Sequence, residues 1–131
     1  MILCENANTY IFLEYPKCTT CQKAKKWLEN NKVSFESRHI VEANPSVSEL
    51  EKWIEISGLP VKKFFNTSGM LYKQMNLKDK LETISDSQKV ELLSTNGMLV
   101  KRPLIISKDI VLVGFKEDQW EKLKNTNIVD V

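Results

Sequence analysis

Within residues 9–40 the apolar pattern changes period twice, and that change limits the folds open to the chain. Thr9-Tyr10-Ile11-Phe12-Leu13-Glu14-Tyr15 is a β-branched and aromatic run of the kind that fills a buried strand. Pro16 and Lys17 end it. From Thr19 the spacing becomes helical, with Cys21, Ala24, Trp27 and Leu28 on one side and Lys23, Lys25, Lys26 and Glu29 mostly opposite. Asn30-Asn31 closes that helix. Val33 to Ile40 then alternates as a second strand, with Val33, Phe35 and Ser37 sharing a face. The result is a strand-helix-strand unit with two cysteines at its strand-to-helix junction.

The next fifty residues read as helical. Asn44-Pro45 and the capping box Ser46-Val47-Ser48-Glu49 start a helix whose apolar stripe is Val47, Leu50, Trp53 and Ile54, and Gly58 with Pro60 stops it. Val61 to Leu81 holds short apolar groups split by Asn66, Gly69 and Asn76, which predicts short helical turns. Ser85-x-x-Gln88 opens another helix carrying Val90, Leu92 and Leu93, closed by Asn96-Gly97. Leu104-Ile105-Ile106, the turn Ser107-Lys108-Asp109 and Ile110 to Val113 read as a β-hairpin. Gly114 breaks it, and Lys116 to Lys124 predicts a closing helix with Trp120 and Leu123 inward. The order β-α-β, helical insert over about residues 45–98, β-β-α is an α/β, thioredoxin-like arrangement in one domain, residues 1–131.

Composition narrows function. With 42% hydrophobic and 27% charged residues and only four Gly and four Pro, the 131 residues suit an ordered domain rather than a disordered or fibrous chain. No apolar run is long enough to cross a bilayer, and Met1-Ile2-Leu3-Cys4-Glu5 has no signal-peptide character, so a cytoplasmic protein is expected. A net charge of +2 gives no ground for direct nucleic-acid binding. Of the 19 basic residues only Arg38 and Arg102 are arginines. Planar, bidentate recognition of an oxyanion prefers arginine, so a function needing three of them is excluded by counting.

The pair Cys18-Thr19-Thr20-Cys21 carries the chemistry. A cysteine at a helix N-terminus meets free backbone N–H groups and the positive end of the helix dipole, both of which favour thiolate over thiol. Lys17 and Arg102 are placed to add positive charge, and Cys21, one turn on, to resolve a mixed disulfide. Two alternatives stand beside this. The pair could ligate zinc, for which only Cys4 and His39 remain as further soft ligands, or the cysteines could be inert core residues. Cys4 itself reads as an incidental thiol and His39 as a structural or surface residue. Arg102-Pro103 is the second informative spot: in this arrangement a proline before the third strand is expected to be cis and to face the redox site. Its plain alternative is a strand-starting proline beside a solvated charge.

Three separated blocks carry a family likeness. Tyr15-Pro16-Lys17-Cys18-Thr19-Thr20-Cys21-Gln22-Lys23-Ala24-Lys25-Lys26-Trp27-Leu28, Lys101-Arg102-Pro103-Leu104-Ile105-Ile106 and Val113-Gly114-Phe115-Lys116-Glu117-Asp118 resemble the arsenate reductase–Spx–MgsR family of bacterial thioredoxin-like proteins. The run Gly58-Leu59-Pro60-Val61-Lys62-Lys63-Phe64-Phe65-Asn66-Thr67-Ser68-Gly69 is similar to the uncharacterised "arsenate reductase family protein" branch, and the likeness spans residues 9–124. In the glutaredoxin-coupled arsenate reductases of this family, one nucleophilic cysteine works with a set of arginines. Cys18 matches the nucleophile and Arg102 the arginine before the proline. Cys21 stands where that group has serine, Gln22 and Asn66 where it has arginines, and Gly114 or Phe115 where it has the last. Genuine arsenate reduction is therefore not expected. The Spx-like branch implies a C-x-x-C redox switch, an arginine before the proline, and binding to the RNA polymerase α subunit through a region of the insert near Gly58.

These readings predict a thiol–disulfide oxidoreductase of arsenate-reductase type, with Cys18 as nucleophile, Cys21 as resolver and Arg102 as electrostatic support. Its partners would be a thiol or disulfide substrate and a reductant, with glutathione, glutaredoxin or thioredoxin as candidates. No metal or nucleotide cofactor is expected, since no Gly-rich phosphate loop is present. The chain is taken as a monomer that binds no membrane. The alternative is an Spx-like redox-sensing regulator acting through RNA polymerase α subunit.

Overall fold

The computed structural model describes residues 9–128, with side chains to residue 124; Cys4 lies outside the described residues. The chain divides into two compact units, one made of Met1–Arg38 with Arg102–Val131 and the other of His39–Lys101.

The first unit carries the sheet. Strand β1 (Tyr10–Glu14) leads into helix α1 (Thr19–Asn30), and β2 (Phe35–His39) comes after it. Strands β3 (Leu104–Ile106) and β4 (Val111–Val113) form the hairpin, and helix α6 (Glu117–Ile128) closes the chain. The sheet order is β2-β1-β3-β4, with β3 antiparallel to both neighbours. Phe12 stands opposite Ile105, and Ile105 opposite Leu112. This is the thioredoxin-like arrangement expected from the element order.

Alternation along β1 decides which side chains meet the helices. Tyr10 and Phe12 pack with Ile105 and Val33 against Ala24 and Leu28 of α1 and Trp120 and Leu123 of α6. Burying a side chain such as Phe12 fully stabilises by roughly 1.5–3 kcal/mol. Trp120 anchors the helix side, with its ring edge-on to Phe115 at 4.9 Å and to Trp27 at 5.9 Å between centroids. Helix α1 ends where Asn31 caps it, its amide donating to the Trp27 carbonyl at 3.0 Å, and Lys32 turns the chain through φ 56°. Ser37 does not join the inward face with Val33: β2 is the edge of the sheet and Ser37 is exposed.

The second unit is helical. Helix α2 (Val47–Ser57) and helix α5 (Asp86–Thr95) each begin with a reciprocal capping box, Ser46 with Glu49 and Ser85 with Gln88. Between them lie the short helices α3 (Met70–Gln74) and α4 (Leu77–Lys80), with 3-10 turns at Val61–Phe64 and Leu81–Thr83. Leu50, Trp53, Phe64, Phe65, Tyr72, Leu77, Leu81, Val90 and Leu93 are among its buried residues. Gly97 comes after α5 in a 3-10 turn, Gly97–Leu99. A Cβ at Gly97 would collide with the Ile40 carbonyl, so this close approach of two chain segments requires glycine.

Candidate functional site

The site is built where β1 runs out. Pro16 and Lys17 occupy the middle of a tight turn closed by the Cys18 amide donating to the Tyr15 carbonyl at 2.9 Å. That turn delivers Cys18 to the N-cap of α1, with extended backbone at φ −85° and ψ 121°. Its sulfur takes the place of the usual hydroxyl or carboxylate cap, accepting from the Cys21 amide at 3.3 Å. The Cys18 carbonyl accepts from the Gln22 amide at 3.0 Å, and Gln22 Nε2 donates to the Pro16 carbonyl at 2.8 Å, tying the first turn of the helix back to the loop.

The two thiols are free and differ in environment: Cys18 is half-buried and Cys21 is buried. Burial pushes the Cys21 thiol up to about 12, and its hydrogen bond with Cys18 and the charge there act in the same direction. A backbone hydrogen bond from Tyr15 and the Arg102 charge oppose the rise. Because the Tyr15 bond favours the charged form of sulfur, the donor is the amide N–H. Tyr15 therefore gives its carbonyl to Cys18 and its amide to Cys21.

Arg102 stands beside this pair. The Arg102-Pro103 peptide is cis, as the fold placement predicts, and Pro103 is buried. The Gly114 amide donates to the Pro103 carbonyl at 2.8 Å, and the Gly114 carbonyl accepts from Trp120 Nε1 at 3.1 Å. Gly114 makes both bonds at φ 76°, in the left-handed region that favours glycine. The Arg102 guanidinium carbon lies 5.3 Å from the centroid of the Tyr15 ring, a cation–π contact. Arg102 is thus not a merely solvated charge.

Two residues outside the cysteine pair make polar contacts of their own. Glu14 is the one buried charged residue among those described, 7% exposed, with Oε2 3.4 Å from Lys25 Nζ. It falls on the Tyr10 and Phe12 side of β1, and Lys25 lies one helical turn beyond Cys21. The inward register of Glu14 was readable from the alternation; its partner was not. His39 does something local: Nδ1 accepts the Val41 and Glu42 amides at 3.2 and 3.1 Å. Among the described residues no group of three or more His, Cys, Asp or Glu gathers where a metal ion would be held, and no helix among them is long and apolar enough to cross a membrane.

Sheet order and helix placement define a thioredoxin-like fold. Within that class, the chain belongs to the ArsC family, whose profile matches residues 13–123. It is 54% identical over 111 residues to the uncharacterised protein YusI of Bacillus subtilis (strain 168), covering 85% of this chain and 94% of the relative. It is 26% identical over 118 residues to the regulatory protein MgsR of the same organism, covering 90% and 92%. Among solved structures it matches an ArsC family related protein from Bacteroides fragilis, at 56% identity and a TM-score of 0.85 over 88% of this chain and 98% of that one.

Proposed function

We propose that the chain is a cytosolic thiol–disulfide oxidoreductase in which Cys18 is the nucleophile and Cys21 the resolving thiol. The observation that carries this is the cap geometry: the Cys21 amide aimed at the Cys18 sulfur, with Cys18 accessible and Cys21 buried one turn on. A Cys18 thiolate attacks one sulfur of a substrate disulfide, forming a mixed disulfide and expelling the other half as a thiolate. Cys21 then loses its proton to the expelled thiolate or to water and attacks the Cys18 sulfur. That forms the Cys18–Cys21 bond, breaks the mixed disulfide and leaves the substrate reduced by two electrons. An external thiol reductant, glutathione or a glutaredoxin- or thioredoxin-class dithiol, returns the pair to thiols.

Arsenate is not the substrate in this reading. The family's arsenate-reductase pattern asks for arginines at the positions of Gln22 and Asn66, and the Gln22 amide is engaged with the Pro16 carbonyl. The test is turnover of a glutathionylated peptide with glutathione as reductant. Wild type should reduce it, Cys18→Ser should be inactive, and Cys21→Ser given the peptide without glutathione should accumulate the mixed disulfide on Cys18. Equal activity of wild type and Cys18→Ser would overturn the proposal.

A second reading is favoured by the likeness to the regulatory protein MgsR over 90% of the chain. Here the same disulfide is a switch and the partner is RNA polymerase α subunit. Gly58 caps α2 at φ 71° with open space where a Cβ would stand, leaving that corner of the second unit accessible. Capture of the α subunit that differs between oxidised and reduced protein would select this reading over the enzymatic one.

A further inference from the structure

Tyr15 joins three parts of the site that the sequence keeps apart. Its carbonyl accepts from the Cys18 amide at 2.9 Å, its amide bonds to the Cys21 sulfur, and its ring faces the Arg102 guanidinium at 5.3 Å. The two backbone bonds survive substitution of the side chain, so the contribution particular to tyrosine is the ring. Arginine has a long side chain with many rotamers, and an aromatic face is one of the few partners that fixes a guanidinium without neutralising its charge.

We propose that Tyr15 is a positioning residue for the resolving step, its aromatic face holding the Arg102 charge beside the cysteine pair. This rests on the assignment of Cys18 as nucleophile and Cys21 as resolver. In the resolving step the Cys21 sulfur becomes negative before it attacks Cys18 in the mixed disulfide. The Cys18–Cys21 bond forms, the bond from Cys18 to the substrate sulfur breaks, and the electron pair leaves with the substrate thiolate. A guanidinium fixed nearby favours the Cys21 thiolate, and Arg102 acts on that sulfur in this sense. Without the ring the guanidinium would keep its charge but lose this contact, and its effect on Cys21 would fall.

The experiment tracks the reaction of the reduced protein with the neutral reagent dithiodipyridine, whose leaving thiopyridone absorbs light. Attack by Cys18 releases a first equivalent, and resolution by Cys21 releases a second. Tyr15→Leu should slow the second release about threefold, as expected for loss of a cation–π contact at a partly exposed site, and leave the first unchanged. Tyr15→Phe, which keeps the aromatic face, should resolve at the wild-type rate. Arg102→Ala should slow the second release to a similar degree, and Tyr15→Leu combined with it should slow it no further. A structural role alone would instead slow both releases.

Should Tyr15→Leu fail to fold, fluorinated phenylalanines at position 15 keep the shape while weakening the ring's negative face. The second release should then slow with each added fluorine. A second release insensitive to Tyr15→Leu or to fluorination overturns this inference and leaves the Cys18 and Cys21 assignment intact. Absence of any second release from the wild type overturns the assignment itself.

Discussion

Iodoacetamide offered to the reduced, folded protein near pH 8 should take Cys18 and leave Cys21. The slowing of Cys21 relative to an unperturbed thiol can be worked from its burial. Cys21 is fully buried, and its thiol is pushed up from 9.0 to about 12. Near pH 8 only about one part in ten thousand of such a thiol is thiolate, against roughly one part in ten for a thiol of 9.0. The more basic thiolate is the better nucleophile by roughly twentyfold over three units, so ionisation alone slows Cys21 about fiftyfold. Steric closure around a side chain with no exposed surface adds to this. Cleavage after Lys17 and Lys23 places both cysteines in one peptide, Cys18-Thr19-Thr20-Cys21-Gln22-Lys23, whose fragment masses report which sulfur carries the label. In denaturant the two should label alike. Equal labelling in the folded protein would refute the claim that burial separates the two thiols.

Burial of Cys21 also makes stability depend on pH. An unfolded chain loses the Cys21 proton near 9.0, while the folded chain keeps it to about 12. The folded state therefore holds one more proton in that window, and the stability from this group, fully present below 9, is lost as pH rises toward 12. The loss is at most about 1.4 kcal/mol per pH unit, and the stability of Cys21→Ala should depend less steeply on pH in denaturant melts over this range. Gly97→Ala drives a Cβ into the Ile40 carbonyl and should lower stability by roughly 1–3 kcal/mol, read as a lower thermal midpoint; a neutral effect would contradict the close approach. Arsenate at millimolar concentration with glutathione and glutaredoxin should give negligible turnover. Each missing charge-assisted hydrogen bond costs roughly 1.5–3 kcal/mol, so the loss of even two such bonds should weaken binding by about two to four orders of magnitude. Arsenate turnover dependent on Cys18 would contradict that.

The features legible in the sequence were local ones. Ser46 with Glu49 and Ser85 with Gln88 announce helix starts because a capping box is a matter of four consecutive residues. The switch of period at Pro16 to Thr19 placed Cys18 at a helix start for the same reason, and the hairpin about Ser107-Lys108-Asp109 reads directly from its turn. The cis peptide at Arg102-Pro103 needed the element order as well as the dipeptide. Pairwise features between distant segments were not legible. Nothing near Tyr15 in the chain indicates that its ring meets Arg102. Gly97 reads as a helix terminator, whereas the neighbour that demands glycine there is Ile40. Ser37 alternates correctly with Val33 and Phe35 but lies exposed in the edge strand, where a period-two pattern carries little information.

If Cys18 and Cys21 are a redox pair, they exchange between two thiols and one disulfide while the chain stays folded. Intact mass after mild oxidation, with fragmentation of the Cys18-Thr19-Thr20-Cys21-Gln22-Lys23 peptide, decides whether they do. The expected result is the loss of two hydrogens within that peptide, recovery on reduction, and no such loss in Cys18→Ser or Cys21→Ser. Oxidation that links Cys4 to a second chain and leaves this peptide with two free thiols would contradict the redox pair.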